Sequence, residues 1–189
     1  MQLKGEIMRK RDFVKKPVLL LTSLLLLYVS TGAQTMKADD SLKKRITEIE
    51  DRVALKELVD TFSILADKKD VKAQTLLFTA NATVETLRGG VVVAKLSGRK
   101  EMEDRFGAFL KNFETVYHFN GQQTVTINGD RASGISYCLV TLIGSENGKK
   151  MKTTIGVYYQ DDYVRENNRW LISKRRSVFD WEDKQELGR

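Results

Sequence analysis

Apolar residues recur at steps of three and four between residues 41 and 66, with charged residues filling the other side of the same stretch. This spacing predicts a long amphipathic helix. The apolar positions that define it are Leu42, Ile46, Ile49, Val53, Leu55, Leu58, Val59, Phe62 and Leu65. The pattern stops at Asp67-Lys68-Lys69, where the helix is expected to end.

Shorter elements follow this helix. Asp70 is a good N-cap because its side chain can accept free backbone N–H groups, so a short helix is predicted over residues 71–78. Alternating residues at 83–87 and 91–96 predict two strands around the turn Arg88-Gly89-Gly90. Ser97 can cap a third helix, predicted over residues 98–112.

The second half of the chain alternates apolar and polar residues, which predicts an antiparallel sheet. The predicted strands cover residues 114–119, 123–127, 131–143, 151–165 and 169–181. The single proline is Pro17, so no proline interrupts these strands. Helices first, then a strand pair, a helix and long strands indicate an α+β fold. We expect a cone-like barrel, with a curved mixed or antiparallel sheet under a long N-terminal helix and two shorter helices.

The N-terminus has a different composition. A basic start precedes a Leu/Val-rich run over residues 18–29, and the small residues Ser30-Thr31-Gly32-Ala33 follow. These are the parts of a secretory signal peptide, and the run is short for a membrane span. We therefore predict a signal peptide over residues 1–33, with cleavage near Ala33 and export to the periplasm or medium. The alternative is an uncleaved N-terminal membrane anchor.

The remaining chain is predicted as a loose segment at 34–44, one domain at 45–182 and a tail at 183–189. Removing residues 1–33 takes away six basic and two acidic residues and lowers the formal net charge from +7 to +3. This charge does not favour nucleic acid as a partner. Lys174-Arg175-Arg176 is interpreted as a solvated strand face. Cys138, the only cysteine, is interpreted as a small buried residue.

Several short motifs, in their order and spacing, resemble the SnoaL-like branch of the nuclear transport factor 2-like superfamily. They lie at residues 66–70, 76–79, 98–102, 117–119, 128–132 and 168–172. The resemblance covers about residues 45–182. It implies a cone-like α+β barrel, commonly dimeric, with a ligand pocket inside the cone. The expected partners are a small organic molecule and a second copy of the chain.

Within that superfamily the scytalone dehydratases offer the closest chemical comparison. The resemblance implies that His118, the only histidine, serves acid–base chemistry, and that Asp67 orients it. An imidazole can both accept and donate a proton near neutral pH. Those enzymes use a second histidine, which this chain lacks, so scytalone dehydration itself is not expected.

Aromatic residues are candidates for the pocket wall. We predict that Phe62, Phe119, Tyr137 and Tyr159 bind the ligand. Adjacent strand residues face opposite sides, so only one of Tyr158 and Tyr159 can line the cone, and the resemblance favours Tyr159 because its spacing to Trp170 matches the tyrosine usual in the family. One histidine and one cysteine, without clustered carboxylates, do not predict a metal site. No Gly-rich phosphate loop is present, and no cofactor is expected.

Three functions remain open at this point. The first is an exported, cofactor-free lyase or isomerase that uses Asp67 and His118 on a mostly apolar carbonyl or hydroxyl compound. The second is a non-catalytic protein that binds a small ligand in the same pocket. The third is an assembly module that dimerises through its open sheet face. If neither residue has a chemical role, Asp67 is interpreted as an exposed loop carboxylate and His118 as a hydrogen-bonded strand residue.

Overall fold

The computed structural model describes the backbone of residues 18–188 and the side chains of residues 39–188. The basic start of the predicted signal peptide therefore lies outside the described residues. The described elements are α1 (Val18–Asp67), α2 (Val71–Thr75), β1 (Phe78–Arg88), β2 (Val91–Ser97), α3 (Gly98–Leu110), β3 (Thr115–Asn128), β4 (Arg131–Glu146), β5 (Lys149–Glu166) and β6 (Arg169–Glu186).

The chain divides into two units, with the boundary between Thr47 and Glu48. The described part of the first unit is helical throughout. The second unit contains the sheet, α2, α3 and the end of α1. None of the helices in the described part of the chain combines the length and the apolar character needed to cross a bilayer.

The six strands form one curved, open sheet in the order β2-β1-β6-β5-β4-β3. β1 pairs with β6 in parallel, and the other neighbours are antiparallel. The predicted α+β fold with a mixed sheet is therefore confirmed. β2 and β3 are the edge strands of this sheet.

The second unit has one apolar core between the sheet and the helices. Leu55, Val59 and Phe62 of α1 are buried against Phe78 and Ile172 of the sheet. Leu42, Ile46, Ile49 and Val53, which define the start of the predicted apolar face, are all about half exposed. The buried face of α1 therefore begins near Asp51 and ends near Ala66.

Several predicted boundaries are wrong. Residues 34–44, predicted as loose, lie within α1, since residues 33–67 contain no Gly or Pro and Met36, Lys37 and Ala38 are good helix formers. The short helix ends at Thr75, because residue 78 already pairs with Ile172 in β6.

Two further differences concern the strands. The predicted strands at 114–119 and 123–127 form one strand, β3, because the break between Asn120 and Gln123 is a bulge that leaves the pairing with β4 intact. β6 continues to Glu186, into the predicted tail, because it stays paired with β5 as far as the pair of Met151 and Glu186.

Asp51 connects α1 to the far end of the sheet. Its carboxylate accepts hydrogen bonds from Arg165 Nη2 at 2.6 Å and from Trp170 Nε1 at 3.0 Å. The Arg165 guanidinium also lies 4.4 Å from the centre of the Trp170 ring. The hydrogen bond from Arg165 holds the pKa of Asp51 below its ordinary value of 3.8. The helix is thus attached to β5 and β6 at its first buried turn.

Replacing Asp51 by Asn is expected to lower the free energy of unfolding by about 2 kcal/mol, since the partly buried guanidinium of Arg165 and the buried indole of Trp170 lose a charged acceptor. Chemical denaturation measures this, and Glu50→Gln on the exposed side of the same turn is the matched control. Because the pKa of Asp51 is lowered in the folded state, its contribution is present above about pH 4 and is lost as the pH falls through the folded pKa. An Asp51→Asn variant as stable as the control would contradict this role.

Candidate functional site

A cavity of about 440 Å³ lies between the inner face of the sheet and the helices of the second unit. Its wall is mainly apolar, and every strand as well as α2, α3 and the end of α1 contributes to it. The apolar residues include Phe62, Val84, Leu96, Phe106, Phe109, Leu110, Val140, Leu142, Ile155 and Phe179. The polar side chains in the wall are Gln74, Thr86, Arg88, Arg105, His118, Tyr159, Arg175 and Ser177. An apolar cavity of this size with few polar groups is typical of a small-molecule site.

Asp67 and His118 meet beside this cavity. His118 Nδ1 lies 2.6 Å from Asp67 Oδ1, and the backbone N–H of His118 donates to Asp67 Oδ2 at 3.3 Å. The imidazole is almost fully buried, with 8% of its side chain exposed, and it forms part of the cavity wall. The two residues are 51 positions apart in the chain, so this contact depends on the fold.

The contact determines which ring nitrogen is available. A carboxylate can only accept, so Nδ1 donates its hydrogen to Asp67. In the neutral ring Nε2 is then unprotonated and can accept a proton. If Nε2 becomes protonated, the adjacent carboxylate stabilises the resulting imidazolium. The pair is therefore arranged as a base with an orienting carboxylate.

The end of α1 places Asp67. Lys69 adopts a left-handed conformation with φ of 57°. Its N–H bonds Ala66 O at 2.9 Å, and the N–H of Asp70 bonds Leu65 O at 2.9 Å. This is a Schellman termination with lysine where glycine is commoner. Lys69 Nζ also bonds the carbonyl of Phe113, just before β3, so the helix end is attached to the chain that enters the strand of His118.

Further hydrogen bonds join α1 to β3 along its length. Asn120 Oδ1 accepts from Ser63 Oγ at 3.0 Å, and Asn120 Nδ2 donates to Asp60 Oδ1 at 2.9 Å. Gln123 Nε2 donates to Leu55 O at 3.2 Å. Arg52 Nη1 donates to the carbonyl oxygen of Val125, also in β3, at 3.0 Å. Together these contacts hold an edge strand against the helix that ends at Asp67.

Arg175 is the most deeply buried of the charged cavity residues that the sequence interpretation missed. It is 1% exposed, and its Nε and Nη2 donate to Asp161 Oδ1 and Oδ2 at 2.8 and 2.6 Å. Its guanidinium lies 4.2 Å from the centres of both the Phe62 and Tyr159 rings. Burial acts to lower the pKa of Arg175, but the charge of Asp161 and its hydrogen bonds outweigh this and the pKa is raised.

The interpretation of Lys174-Arg175-Arg176 as a solvated face is therefore wrong for its middle residue. Strand alternation turns Arg175 inward, while Lys174 and Arg176 line a groove on the outer face. The register pairs Arg175 directly with Asp161 across β5 and β6. Arg175 and Asp161 carry opposite charges, and both fall on inward-facing positions of adjacent predicted strands. This pattern is the sequence signal that could have identified the pair.

Among the described residues, two buried polar atoms of wall residues have no hydrogen-bond partner. They are Arg175 Nη1 and Gln74 Oε1. Buried donors and acceptors are usually paired, but both atoms have almost no accessible surface, so a ligand would reach them only after neighbouring side chains had moved. Burial also raises the pKa of Tyr159, so its hydroxyl stays protonated and can donate. In the described residues no three His, Cys, Asp or Glu side chains come together as a metal site requires.

Residues 47–176 match the model of the SnoaL-like domain family. The chain belongs to the SnoaL-like family. Uncharacterized proteins of Mycobacterium bovis and Mycobacterium tuberculosis are each 25% identical to it over 130 residues, which is 69% of this chain and 86% of theirs.

Solved structures share the fold of this SnoaL-like chain. A candidate scytalone dehydratase of Novosphingobium aromaticivorans superposes with a TM-score of 0.66 and 14% identity, covering 75% of this chain and 92% of that one. A type 2 hexachlorocyclohexane dehydrochlorinase, LinA, gives a TM-score of 0.64 and 16% identity, covering 75% and 95%. At these identities the likeness concerns the fold.

The predicted ligand-binding residues of the SnoaL-like domain divide between two faces. Phe62 and Tyr159 line the cavity with His118. Phe119 and Tyr137 do not: they lie on the outer face of the sheet, beside Tyr158 and Trp181, and are more than half exposed. The prediction that they line the same pocket is wrong, because Phe119 follows inward-facing His118 in one strand and adjacent side chains point to opposite faces. Tyr137 precedes buried Cys138 in the same way.

Cys138 is buried on the inner side of β4, and burial raises the pKa of its thiol to about 12. A thiol with so high a pKa is almost entirely protonated at neutral pH and is a poor nucleophile. This is consistent with its interpretation as a small buried residue.

Replacing Asp161 by Asn is expected to destabilise the protein by about 3 kcal/mol, because it leaves the buried Arg175 cation without its partner. Thermal and chemical denaturation measure the loss. Asp162→Asn, one residue further along β5 and exposed, removes the same charge and should change stability by less than about 0.5 kcal/mol. Equal effects of the two substitutions would show that the Asp161–Arg175 pair has no special importance.

Proposed function

We propose that this SnoaL-like protein is a cofactor-independent lyase or isomerase that moves a proton on a small, mostly apolar carbonyl or hydroxyl compound. The observation that supports this most directly is the 2.6 Å contact between Asp67 and His118 at the wall of an apolar cavity. The contact leaves Nε2 of His118 as the available base, in a wall that is mainly apolar.

In an isomerisation of a β,γ-unsaturated carbonyl compound, His118 Nε2 removes a proton from the carbon between the carbonyl and the double bond. The C–H electrons form a new carbon–carbon double bond to the carbonyl carbon, and the carbonyl oxygen gains negative charge, which gives a dienolate. The imidazolium, stabilised by Asp67, then returns the proton to the γ carbon, so that the carbonyl is re-formed and the carbon–carbon double bond ends in conjugation with it. In a β-elimination the same proton is removed, but the electrons expel a leaving group from the neighbouring carbon.

Tyr159 is suited to stabilise the developing negative charge. It lines the cavity with His118, and its hydroxyl remains protonated because burial raises its pKa. Donors that are fixed before the reaction stabilise an oxyanion without having to reorganise. The Arg175 guanidinium, 4.2 Å from the centres of both the Phe62 and Tyr159 rings, adds a fixed positive charge beside it.

The relatives in fold are consistent with this proposal. Dehydration and dehydrochlorination, the reactions in the names of two of them, are both eliminations in which a proton and a leaving group depart from adjacent carbons. The fold thus supports proton abstraction as a reaction class, while the choice of substrate depends on residues of the cavity wall.

Proton abstraction can be tested without knowing the natural substrate. We expect the protein to catalyse deuterium incorporation next to the carbonyl of 2-tetralone, an apolar ketone, in deuterated buffer followed by NMR. His118→Ala should lower the catalysed rate by about 100-fold or more, which is the usual contribution of a general base. Asp67→Asn should also lower it, since the ring loses its orienting carboxylate. Asp104→Asn, on an exposed part of α3, is the control.

Three outcomes are informative. Loss of exchange in both site variants, with folding and 2-tetralone binding retained, supports the proposal. Exchange that is unchanged in His118→Ala excludes His118 as the base. Tight binding of the ketone without exchange in the wild-type protein would favour the non-catalytic ligand-binding function instead.

We also propose that the protein forms a homodimer through the outer face of the sheet. Phe119, Tyr137, Leu139 and Trp181 are 64%, 53%, 39% and 50% exposed, and all four line one groove on this face. Contiguous exposed apolar surface of this kind often marks an interface between proteins. Trp181 lies flat against the sheet, since a Cβ added at Gly156 would be 2.1 Å from its Nε1.

Light scattering at micromolar concentration should give a mass of twice the 21.6 kDa of the chain. Phe119→Asp should shift the protein to the monomer, because it would bury an unpaired charge in the interface. Val93→Asp, a similarly exposed apolar position on β2, should leave the dimer intact. A wild-type monomer, or equal effects of the two substitutions, would count against this interface.

A further inference from the structure

The charged side chains in the cavity wall all have the same sign. Arg88, Arg105 and Arg175 line the cavity, and no Asp or Glu among the described residues does so. Arg88 and Arg105 are exposed, whereas Arg175 is buried. The two exposed arginines therefore lie where the cavity opens to solvent. A cationic rim around an apolar cavity concentrates anions at its opening.

The three arginines differ in how far their charge is already balanced. Arg175 is paired with Asp161, and Arg88 Nη1 lies 3.0 Å from Glu182 Oε2. Arg105 has no ion pair among the side chains of residues 39–188. Of its helical neighbours, Glu101 accepts from the backbone N–H of Ser97 at 2.7 Å, and Asp104 pairs with Lys100. Arg105 is thus the arginine of the rim whose guanidinium makes no ion pair with the described side chains.

Arg105 also lies next to apolar surface. Ala108 and Phe109 follow it by three and four residues on α3, and both line the cavity with it. Residues at this spacing share one side of a helix. A ligand that rests its apolar body against Phe109 therefore has its outer end within reach of a guanidinium, a group that binds carboxylates in a planar, two-point manner.

We propose that the ligand of this cavity is an amphipathic organic acid whose carboxylate binds Arg105 at the opening. Its apolar body fills the cavity and directs the opposite end towards His118. This inference rests on the proposed function only for the identity of that inner end. The contact with Arg105 concerns binding and is independent of any proton transfer.

The test uses two probes of similar shape on the full chain, 2-naphthoate and the neutral ketone 2-acetonaphthone, with affinities measured by calorimetry. We expect Arg105→Gln to weaken 2-naphthoate about five-fold and to leave 2-acetonaphthone unchanged. Lys111→Gln removes the same charge just beyond α3 at a residue outside the cavity wall, and should leave both affinities unchanged. The affinity for 2-naphthoate should also fall between about 0.02 and 0.3 M salt.

The outcomes separate this inference from the proposed reaction. A preference for 2-naphthoate that is lost in Arg105→Gln supports it, even if no ketone is deuterated. Equal affinities for the two probes, or equal effects of Arg105→Gln and Lys111→Gln, overturn it while leaving proton abstraction untouched. His118→Ala should bind 2-naphthoate like the wild type. A large loss of affinity for 2-naphthoate in His118→Ala would show that the carboxylate binds at the inner end of the cavity, and would overturn the assignment to Arg105.

Discussion

The site depends on the attachment of one helix to one edge strand. α1 and β3 are joined by side-chain hydrogen bonds from Arg52, Asn120 and Gln123, and the last contact in the row is that of Asp67 with His118. An edge strand has a neighbour on only one side, so these bonds replace part of the support that a second strand would provide. The contact therefore depends on the whole length of the buried half of α1, from the Asp51 cluster to the helix end.

The cavity combines an apolar wall with a few charged or polar side chains, and each affects the other. Its wall is apolar, which excludes water and strengthens electrostatic interactions inside it. The same wall makes unpaired charge costly, so the inward cation Arg175 is accompanied by Asp161, and the imidazole by Asp67. A ligand therefore meets a mainly apolar wall with a small set of directional groups: the free ring nitrogen of His118, the hydroxyl of Tyr159 and, at the opening, the guanidinium of Arg105.

Much of this was predictable from sequence, for reasons that differ between residues. The helix end at Asp67 follows from the point where the apolar spacing stops. The choice of Tyr159 over Tyr158 follows from the resemblance, since alternation requires only that the two face opposite sides. Arg175 was missed because three consecutive cations suggest a surface, and its partner Asp161 is 14 residues away. Phe119 and Tyr137 were misplaced because they were chosen for their aromatic side chains, while alternation assigns them to the outer face. Residues 34–44 were predicted as loose because they are polar. They contain no Gly or Pro, and polar composition alone does not prevent a helix.

The double contact between Asp67 and His118 has a consequence for how this domain could change its chemistry. One carboxylate holds both the ring and the backbone N–H of the same residue, so the imidazole cannot be moved without displacing the strand. The residues facing it across the cavity are not bound in this way, and most are apolar side chains that can change size independently. Adaptation to a new compound would thus leave the proton-transferring group in place and reshape the space in front of it.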